Sequence, residues 1–201
     1  MALFQRFQRN DQLVRIIQDN PITTSEEGGF VHLIVGLGNI GSQYTKTRHN
    51  VGFMAVDAYR TGKNMPDWQE KPKFKAYVSE DFIAGQKIVL VKPTTLMNLS
   101  GESIRALKDF FKLNNDDITV VHDELDLPFG TVRTKKDGGS AGHNGLKSLI
   151  KHIGEDFHRI RIGISNDQLK NIEAADFVLA NFSREEQKQL PKLLNEVVRK
   201  L

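Results

Sequence analysis

The stretch GLGNIGSQYTKTRHNVG, residues 36–52, decides whether the α/β fold of this chain is of the dinucleotide-binding kind. Gly36, Gly38 and Gly41 satisfy the G-x-G-x-x-G pattern of a dinucleotide-binding loop. Such a loop must open directly into a helix whose N-terminus faces the pyrophosphate. Here the polar segment SQYTKTRHN follows the glycines, and no helical pattern begins before about residue 50. The stretch therefore disfavours nucleotide binding. The glycines are expected to permit positive φ angles and the close approach of another segment to the end of a strand.

Apolar runs alternate with helical patterns along the rest of the chain. Strands are predicted at residues 32–37, 87–93, 118–123 and 158–164. Helices are predicted at residues 50–60, 100–113, 144–154 and 183–201. Ser100 is a candidate N-cap, Ser183 and Glu186 form a capping box, and Pro191 either starts or kinks the last helix. The alternation predicts a single α/β domain, a twisted mixed β-sheet flanked by helices.

The composition excludes several classes of protein. The 201 residues include no cysteine, which rules out disulfides, thiolate nucleophiles and cysteine-ligated metal sites. No apolar run approaches the roughly 18 residues of a membrane span. The sequence has no H-E-x-x-H or comparable ligand spacing, so neither a metal nor another cofactor is expected. The net charge of +3 permits an anionic partner without requiring one.

Polar side chains follow the predicted strands at the edge where open α/β folds bind their ligands. Asn39 follows the first strand, Asn98 the second, and Asp123 ends the third. His49 closes the long loop after the first strand, and Asn144 begins a helix. Taken singly, each asparagine is more typical of a turn or a helix cap.

The histidines are interpreted differently according to their surroundings. His32, His152 and His158 are interpreted as ordinary core or surface residues. His49 shares the predicted edge with a carboxylate, primary amides and glycines, which favours a water-activating base surrounded by hydrogen-bond donors. We expect His49 and Asp123 to meet beside a cleft.

Six segments in order make the chain resemble a known family: VGLGN, TRHNVGF, KPTTLMNLSG, HDELDLP, GGSAGHNGLKS and FHRIRIGI. Over residues 31–182 the sequence is similar to bacterial-type peptidyl-tRNA hydrolases, which cleave the ester between a peptide and the 3′ ribose of tRNA. The resemblance implies a cytoplasmic, monomeric hydrolase of translation that recycles tRNA, uses no cofactor, and binds the acceptor stem and 3′ end of peptidyl-tRNA.

The resemblance also implies roles for individual residues. His49 would be the general base that activates water, and Asp123 the carboxylate that orients it. An ionised aspartate that accepts the Nδ1 proton fixes the tautomer and leaves Nε2 available to take a proton from water. The implied substrate-binding residues are Asn39, Tyr44, Met97, Asn98 and Asn144. Which asparagine meets the oxygen that gains charge stays open.

Basic residues concentrate between residues 133 and 161. The resemblance implies that Lys135, Lys147 and Arg161 form a patch that receives tRNA phosphate. A dispersed solvated surface is the alternative interpretation of this run of charge.

Two other classes of function stay open at this point. A non-catalytic RNA-binding protein would need only the basic surface, so the presence of His49 and Asp123 disfavours it. A nicotinamide oxidoreductase is more distant still.

The chain is expected to divide into residues 1–29, an N-terminal extension and linker, and residues 30–201, the catalytic domain. Apolar residues at partly helical spacing predict a short amphipathic helix near the N-terminus. An organelle presequence or a partner-binding arm is the alternative, and the segment lacks the apolar stretch of a secretory signal.

Overall fold

Seven strands form one mixed sheet in the order β2-β3-β4-β1-β5-β7-β6. The computed structural model describes residues 31–201, and the helix expected near the N-terminus lies outside them. The strands are β1 (Val31–Gly36), β2 (Gln69–Lys71), β3 (Ala76–Ile83), β4 (Gln86–Pro93), β5 (Ile118–Pro128), β6 (Val132–Lys136) and β7 (His158–Ser165). β1 runs parallel to β4 and β5, and β5 runs parallel to β7. The four predicted strands are thus the four central parallel ones, and the predicted mixed sheet is confirmed.

The outer strands were not predicted, because each lacks a continuous apolar run. β2 and β3 pair in antiparallel fashion beside β4, and β6 pairs in antiparallel fashion with β7. β6 reads VRTKK, and only its first residue is buried. Edge strands are often charged in this way, because charge discourages pairing with another chain.

Helices cover both faces of the sheet. They are α1 (Val51–Gly62), α2 (Ser100–Phe111), α3 (Asn144–Ile153), α4 (Ala174–Leu179) and α5 (Arg184–Val198). α2 and α3 pack over Leu33 and Val35 of β1, while α1 and α5 pack over Ile34. Successive strand residues point to opposite faces, so β1 serves both cores. None of the helices within residues 31–201 is long and apolar enough to span a membrane.

One predicted helix start is wrong and another is confirmed. Ser100 is not an N-cap: Leu99 holds that position, and the Ser100 hydroxyl donates to the carbonyl of Met97 at 2.9 Å. A one-turn 3-10 helix, Met97–Leu99, already leads into α2. The capping box of Ser183 and Glu186 is confirmed, so the last helix begins well before Pro191.

The glycines after β1 make room for α1, as expected. A Cβ atom on Gly36 would lie 2.5 Å from the carbonyl oxygen of Gly52, and one on Gly38 would lie 2.6 Å from the ring of Phe53. Gly41 has a φ of 117°, which side chains rarely adopt. Two 3-10 turns separate these glycines from α1, so the loop does not open directly into a helix as a dinucleotide site requires.

Candidate active site

His49 and Asp123, 74 positions apart in the chain, are in direct contact. The Nδ1 atom of His49 lies 3.0 Å from each carboxylate oxygen of Asp123. His49 belongs to the 3-10 turn Arg48–Asn50 that leads into α1, and Asp123 lies in β5. Both side chains are buried, and no residue from 31 to 201 bonds to Nε2 of His49. The expected meeting of imidazole and carboxylate is therefore present.

A buried arginine fixes the turn that carries His49. Arg48 is 1% exposed and donates through Nη1 to the carbonyl of Asn181 at 2.7 Å and through Nη2 to Glu186 at 2.8 Å. Its guanidinium lies 4.3 Å from the ring centre of Phe177. These contacts connect the turn that carries His49 to α4, to α5 and to the segment between them. No local sequence pattern indicated this role, because all three partners lie more than a hundred positions away.

A second histidine bonds to the same carboxylate. Nε2 of His143 lies 2.9 Å from Oδ1 of Asp123. Its Nδ1 accepts hydrogen bonds from the backbone amides of Gly145 and Leu146, so His143 is the N-cap of α3. Because Nδ1 accepts, the ring proton lies on Nε2 and is donated to Asp123. The motif GGSAGHNGLKS contains His143, but no sequence pattern indicated this role.

The two imidazoles determine the charge of Asp123. Burial alone would raise the pKa of this carboxyl, but His143 and His49 outweigh burial and hold the pKa far below its usual value. Asp123 is therefore ionised at neutral pH. A buried carboxylate with two imidazole partners stabilises positive charge on whichever ring gains a proton.

His122, next to Asp123 in β5, is kept neutral. Its Nδ1 lies 2.7 Å from the carbonyl oxygen of Asp123, and its Nε2 has no hydrogen-bond partner within residues 31–201. Desolvation, followed by the nearby His143, lowers the pKa of His122 to about 4. This ring therefore acts as a neutral donor to the backbone of the strand.

A cavity of about 250 Å³ opens beside the histidine pair. His49, Asp123 and His143 form one side, and Asn144 lies at the N-terminus of α3. Three small or apolar residues of α4 also line the cavity: Ala174, Ala175 and Val178. His49 thus lines a cavity with room for a small organic group.

Asn39 is held in place by Asn50. The backbone N–H of Asn39 donates to Oδ1 of Asn50 at 2.9 Å, and Nδ2 of Asn50 donates to the carbonyl of Asn39 at 2.9 Å. Oδ1 of Asn39 accepts from the backbone N–H of Met97 at 3.2 Å. The Nδ2 group of Asn39 is thus the part that can donate to a substrate. The motif TRHNVGF contains Asn50, but no sequence pattern indicated this supporting role.

The other predicted substrate residues lie on three separate segments. Met97 is buried against Gly145, where a Cβ atom would lie 2.7 Å from its sulfur. Asn98 and Asn144 are exposed, and only Asn144 lines the cavity. Tyr44 is half-buried, and its carbonyl accepts from the backbone of Thr47 at 3.0 Å. Met97 and Asn98 lie on the loop after β4, and Tyr44 lies on the loop after β1.

Basic side chains share one face of β6 and β7, the face covered by α3. Arg133 pairs with Arg161 across the two strands, and Lys135 with Arg159, so their side chains point the same way. Arg161 donates to Glu124 at 2.9 Å. On α3, Lys147 is exposed. The predicted phosphate residues thus lie on one side of the sheet.

Two basic residues between positions 133 and 161, Arg159 and Lys136, are not exposed on this face of the sheet. Arg159 is 3% exposed, and its guanidinium donates to the carbonyls of Gly138 and Gly139, so it supports the glycine loop. Lys136 points to the opposite face and pairs with Asp116. Together with Lys135 and Arg159 it lines a second cavity of about 290 Å³, which contains no part of the His49 cluster.

His49, Asp123 and His143 are the one group within residues 31–201 whose donor atoms are close enough to bind a metal. The ligand atoms lie within 4.8 Å of one another. A metal on Nε2 of His143 would require a proton on Nδ1, which already accepts two amides of α3. The donor set fits a hydrogen-bonded cluster better than a metal centre.

Comparisons with known proteins agree on one family. The family model described as peptidyl-tRNA hydrolase matches residues 33–201. A peptidyl-tRNA hydrolase of Fusobacterium nucleatum is 47% identical over 166 residues, 82% of this chain and 84% of that protein. One from Bacillus subtilis is 44% identical over 83% of this chain and 88% of its own length. The crystal structure of peptidyl-tRNA hydrolase from Acinetobacter baumannii superposes with a TM-score of 0.78 at 35% identity, covering 88% of this chain and 89% of that one.

Proposed function

Since the chain belongs to the peptidyl-tRNA hydrolase family, we propose that His49 is the general base with which it hydrolyses its substrate. The enzyme cleaves the ester bond of peptidyl-tRNA, a reaction connected with translation. The resemblance stated from the sequence is thereby confirmed, as is the hydrolase activity. The contact between His49 and Asp123 carries the proposed mechanism.

Water is the nucleophile in this mechanism. Asp123 accepts the Nδ1 proton of His49, which leaves the Nε2 lone pair directed at a water molecule in the cleft. Nε2 takes a proton as the water oxygen attacks the ester carbonyl carbon. The tetrahedral intermediate then expels the 3′ oxygen of the ribose, which takes the proton back from His49. The ionised Asp123 stabilises the imidazolium between these two steps.

Primary amides stabilise the oxygen that gains charge and hold the peptide. Asn39, Asn98 and Asn144 each offer a donor, and Nδ2 of Asn39 is oriented by the Met97 contact. Tyr44 and Met97 line the groove beside these amides. One well-placed donor of this kind contributes about 10² to 10³ in rate.

The basic face binds the tRNA. Lys135, Lys147 and Arg161 contact phosphates of the acceptor stem, and the 3′ end enters the cavity beside His49. Phosphate contacts fix the register of a nucleic acid without reading its sequence, which suits an enzyme that accepts many tRNAs. In this proposal the enzyme works as a monomer in the cytoplasm, since one chain supplies every residue of the site.

A single-turnover assay with N-acetylaminoacyl-tRNA tests the catalytic assignment. The variant His49→Ala should lose about 10² to 10⁴ in rate, the usual contribution of a general base. His158→Ala, which removes a surface histidine outside the cleft, is the matched control and should keep its rate. A His49→Ala variant with wild-type turnover would overturn the assignment.

A second assay tests the phosphate residues. Lys135→Ala should raise KM several-fold with little change in kcat, and should make binding less sensitive to salt, because one phosphate contact is lost. Lys188→Ala, an exposed lysine on α5, is the control. An unchanged KM for Lys135→Ala would remove this residue from the phosphate site.

A further inference from the structure

The order of the parallel strands shows which segments lie on each side of His49 and Asp123. β4, β1, β5 and β7 lie side by side in that order and end at the same edge of the sheet. The loop after β1 carries His49, and β5 carries Asp123, so the catalytic pair lies in the middle. The exposed basic residues lie on the β7–β6 side of the pair. The loop after β4 lies on the other side.

This other side presents apolar side chains to solvent. Ile40 is 42% exposed, Leu96 65% and Leu99 41%. We call these three residues the apolar rim. All three lie on the loops after β1 and β4, and large apolar side chains are usually covered in a stable fold.

Hydrogen bonds bring the members of the apolar rim together. The Asn39 side chain accepts from the backbone of Met97, so Ile40 and Leu96 each lie one residue away from this bond. The backbone of Leu99 donates to the carbonyl of Leu96 at 2.8 Å, which closes one turn between them. The apolar rim is therefore continuous with the loop that presents Asn39.

We propose that the apolar rim binds the side chain of the penultimate residue of the peptidyl group, and that the enzyme prefers apolar residues there. This inference rests on the proposed function, which puts the ester at His49 and the phosphates at the β7–β6 side. The peptide must then leave the ester toward β1 and β4. Consecutive Cα atoms are about 3.8 Å apart, so the Cα of the penultimate residue lies about 5 Å from the ester carbon and its side chain reaches a few Å further. The occupant is thus part of the substrate itself.

The size of the preference for an apolar penultimate residue depends on the apolar area that the contact buries. Full burial of a leucine side chain favours binding substantially, but an open rim covers only part of it. We therefore expect a preference of about five- to tenfold in kcat/KM for leucine over glycine. A preference of this size would still allow the enzyme to accept varied peptides.

The experiment compares two substrates that differ at the penultimate residue alone. N-acetyl-leucyl-lysyl-tRNA and N-acetyl-glycyl-lysyl-tRNA carry the same tRNA and the same ester-linked residue. The wild-type enzyme should favour the leucyl substrate about five- to tenfold, and Leu96→Ser should reduce this ratio to about one. Ile40→Ser should reduce it as well. Phe82→Ser is the control, because Phe82 is 68% exposed but lies on β3, away from the cleft.

The outcomes separate the two proposals. A wild-type ratio near one, or an unchanged ratio in both rim variants, would overturn the role of the apolar rim. An equal fall of kcat/KM for both substrates in Leu96→Ser would also overturn it, because selectivity would then be intact. Full activity of His49→Ala on either substrate would instead contradict the proposed function.

Discussion

Two histidines contact the carboxylate of Asp123, but they present different atoms to it. His49, in the turn after β1, approaches through Nδ1, and its Nε2 faces the cleft. His143, in the loop before α3, approaches through Nε2, and its Nδ1 caps the helix. Only the first ring therefore has a nitrogen available for a substrate. The occupied nitrogens, more than distance from the carboxylate, determine which histidine can act as a base.

The two rings are also held by different means. The turn with His49 is fixed by the buried ion pair between Arg48 and Glu186. His143 is fixed by the first amides of α3. Variants at these contacts should separate catalysis from support.

Asp123→Asn should have the largest effect, because it changes the partner that both rings share. The amide would donate toward Nδ1 of His49 and shift the ring proton to Nε2, the wrong tautomer for a base. We expect kcat to fall by about 10³ to 10⁴, as for comparable triads. Asp126→Asn, three residues along β5 and exposed, is the control. A loss of less than tenfold in single-turnover assays would show that Asp123 does not orient His49.

Arg48→Met should have the largest effect on stability. The change leaves Glu186 buried without its cation, which typically costs about 3 to 5 kcal/mol in the free energy of unfolding. Arg105→Met removes an exposed pair with Asp109 and should cost less than about 1 kcal/mol. Denaturant unfolding measures both values.

The double variant Arg48→Met with Glu186→Gln sharpens this test. It should be more stable than Arg48→Met alone, because the unpaired charge is gone. Equal stability of the single and double variants would contradict a charge-based anchor for the catalytic turn.

The neutral His122 predicts a pH-dependent stability. Its pKa is lowered to about 4 in the folded protein from 6.5, so the unfolded chain binds the proton first as the pH falls. The stability is therefore complete above pH 6.5 and decreases toward pH 4. At about 1.4 kcal/mol per pKa unit, the loss should be about 3 kcal/mol.

Denaturant titrations at several pH values measure this loss. His122→Asn should show a smaller decrease between pH 6.5 and 4 than the wild type, since it cannot take up a proton. The same slope in both proteins would assign the loss to other groups.

His143→Asn should have the smallest effect. Asparagine is a good N-cap, so α3 keeps its cap while Asp123 loses one of its two donors. We expect kcat to fall by about tenfold, well below the general-base contribution. His143→Ala also removes the cap and should lose about 1 kcal/mol more in stability. A fall as large as that of Asp123→Asn would contradict a supporting role for His143.

The sequence predicted the interior of the sheet better than its margins. β1, β4 and β5 each contain a run of at least four consecutive buried residues, whereas β6 has one buried residue among five. Helix α4 is only six residues long and was missed for a similar reason. Periodicity detects burial, and these segments bury little.

The candidate site was predicted in part. His49 and Asp123 were chosen because both follow strands that end at one edge, and their contact is present. Arg48, Asn50 and His143 were missed. Their roles depend on partner atoms from distant segments, such as the carbonyl of Asn181 or the carboxylate of Asp123. No local pattern of residue types encodes such pairings.

The contact between the end of β1 and the start of α1 limits how this enzyme can be altered. A methyl group on Gly52 would lie 2.4 Å from the carbonyl oxygen of Val121 and 2.5 Å from that of Leu37. The first turn of α1 therefore packs directly on β5 and on the residue after β1, and it directly follows the turn that carries His49. Even alanine at position 52 is therefore expected to displace the start of α1 and, with it, the turn that holds His49 against Asp123.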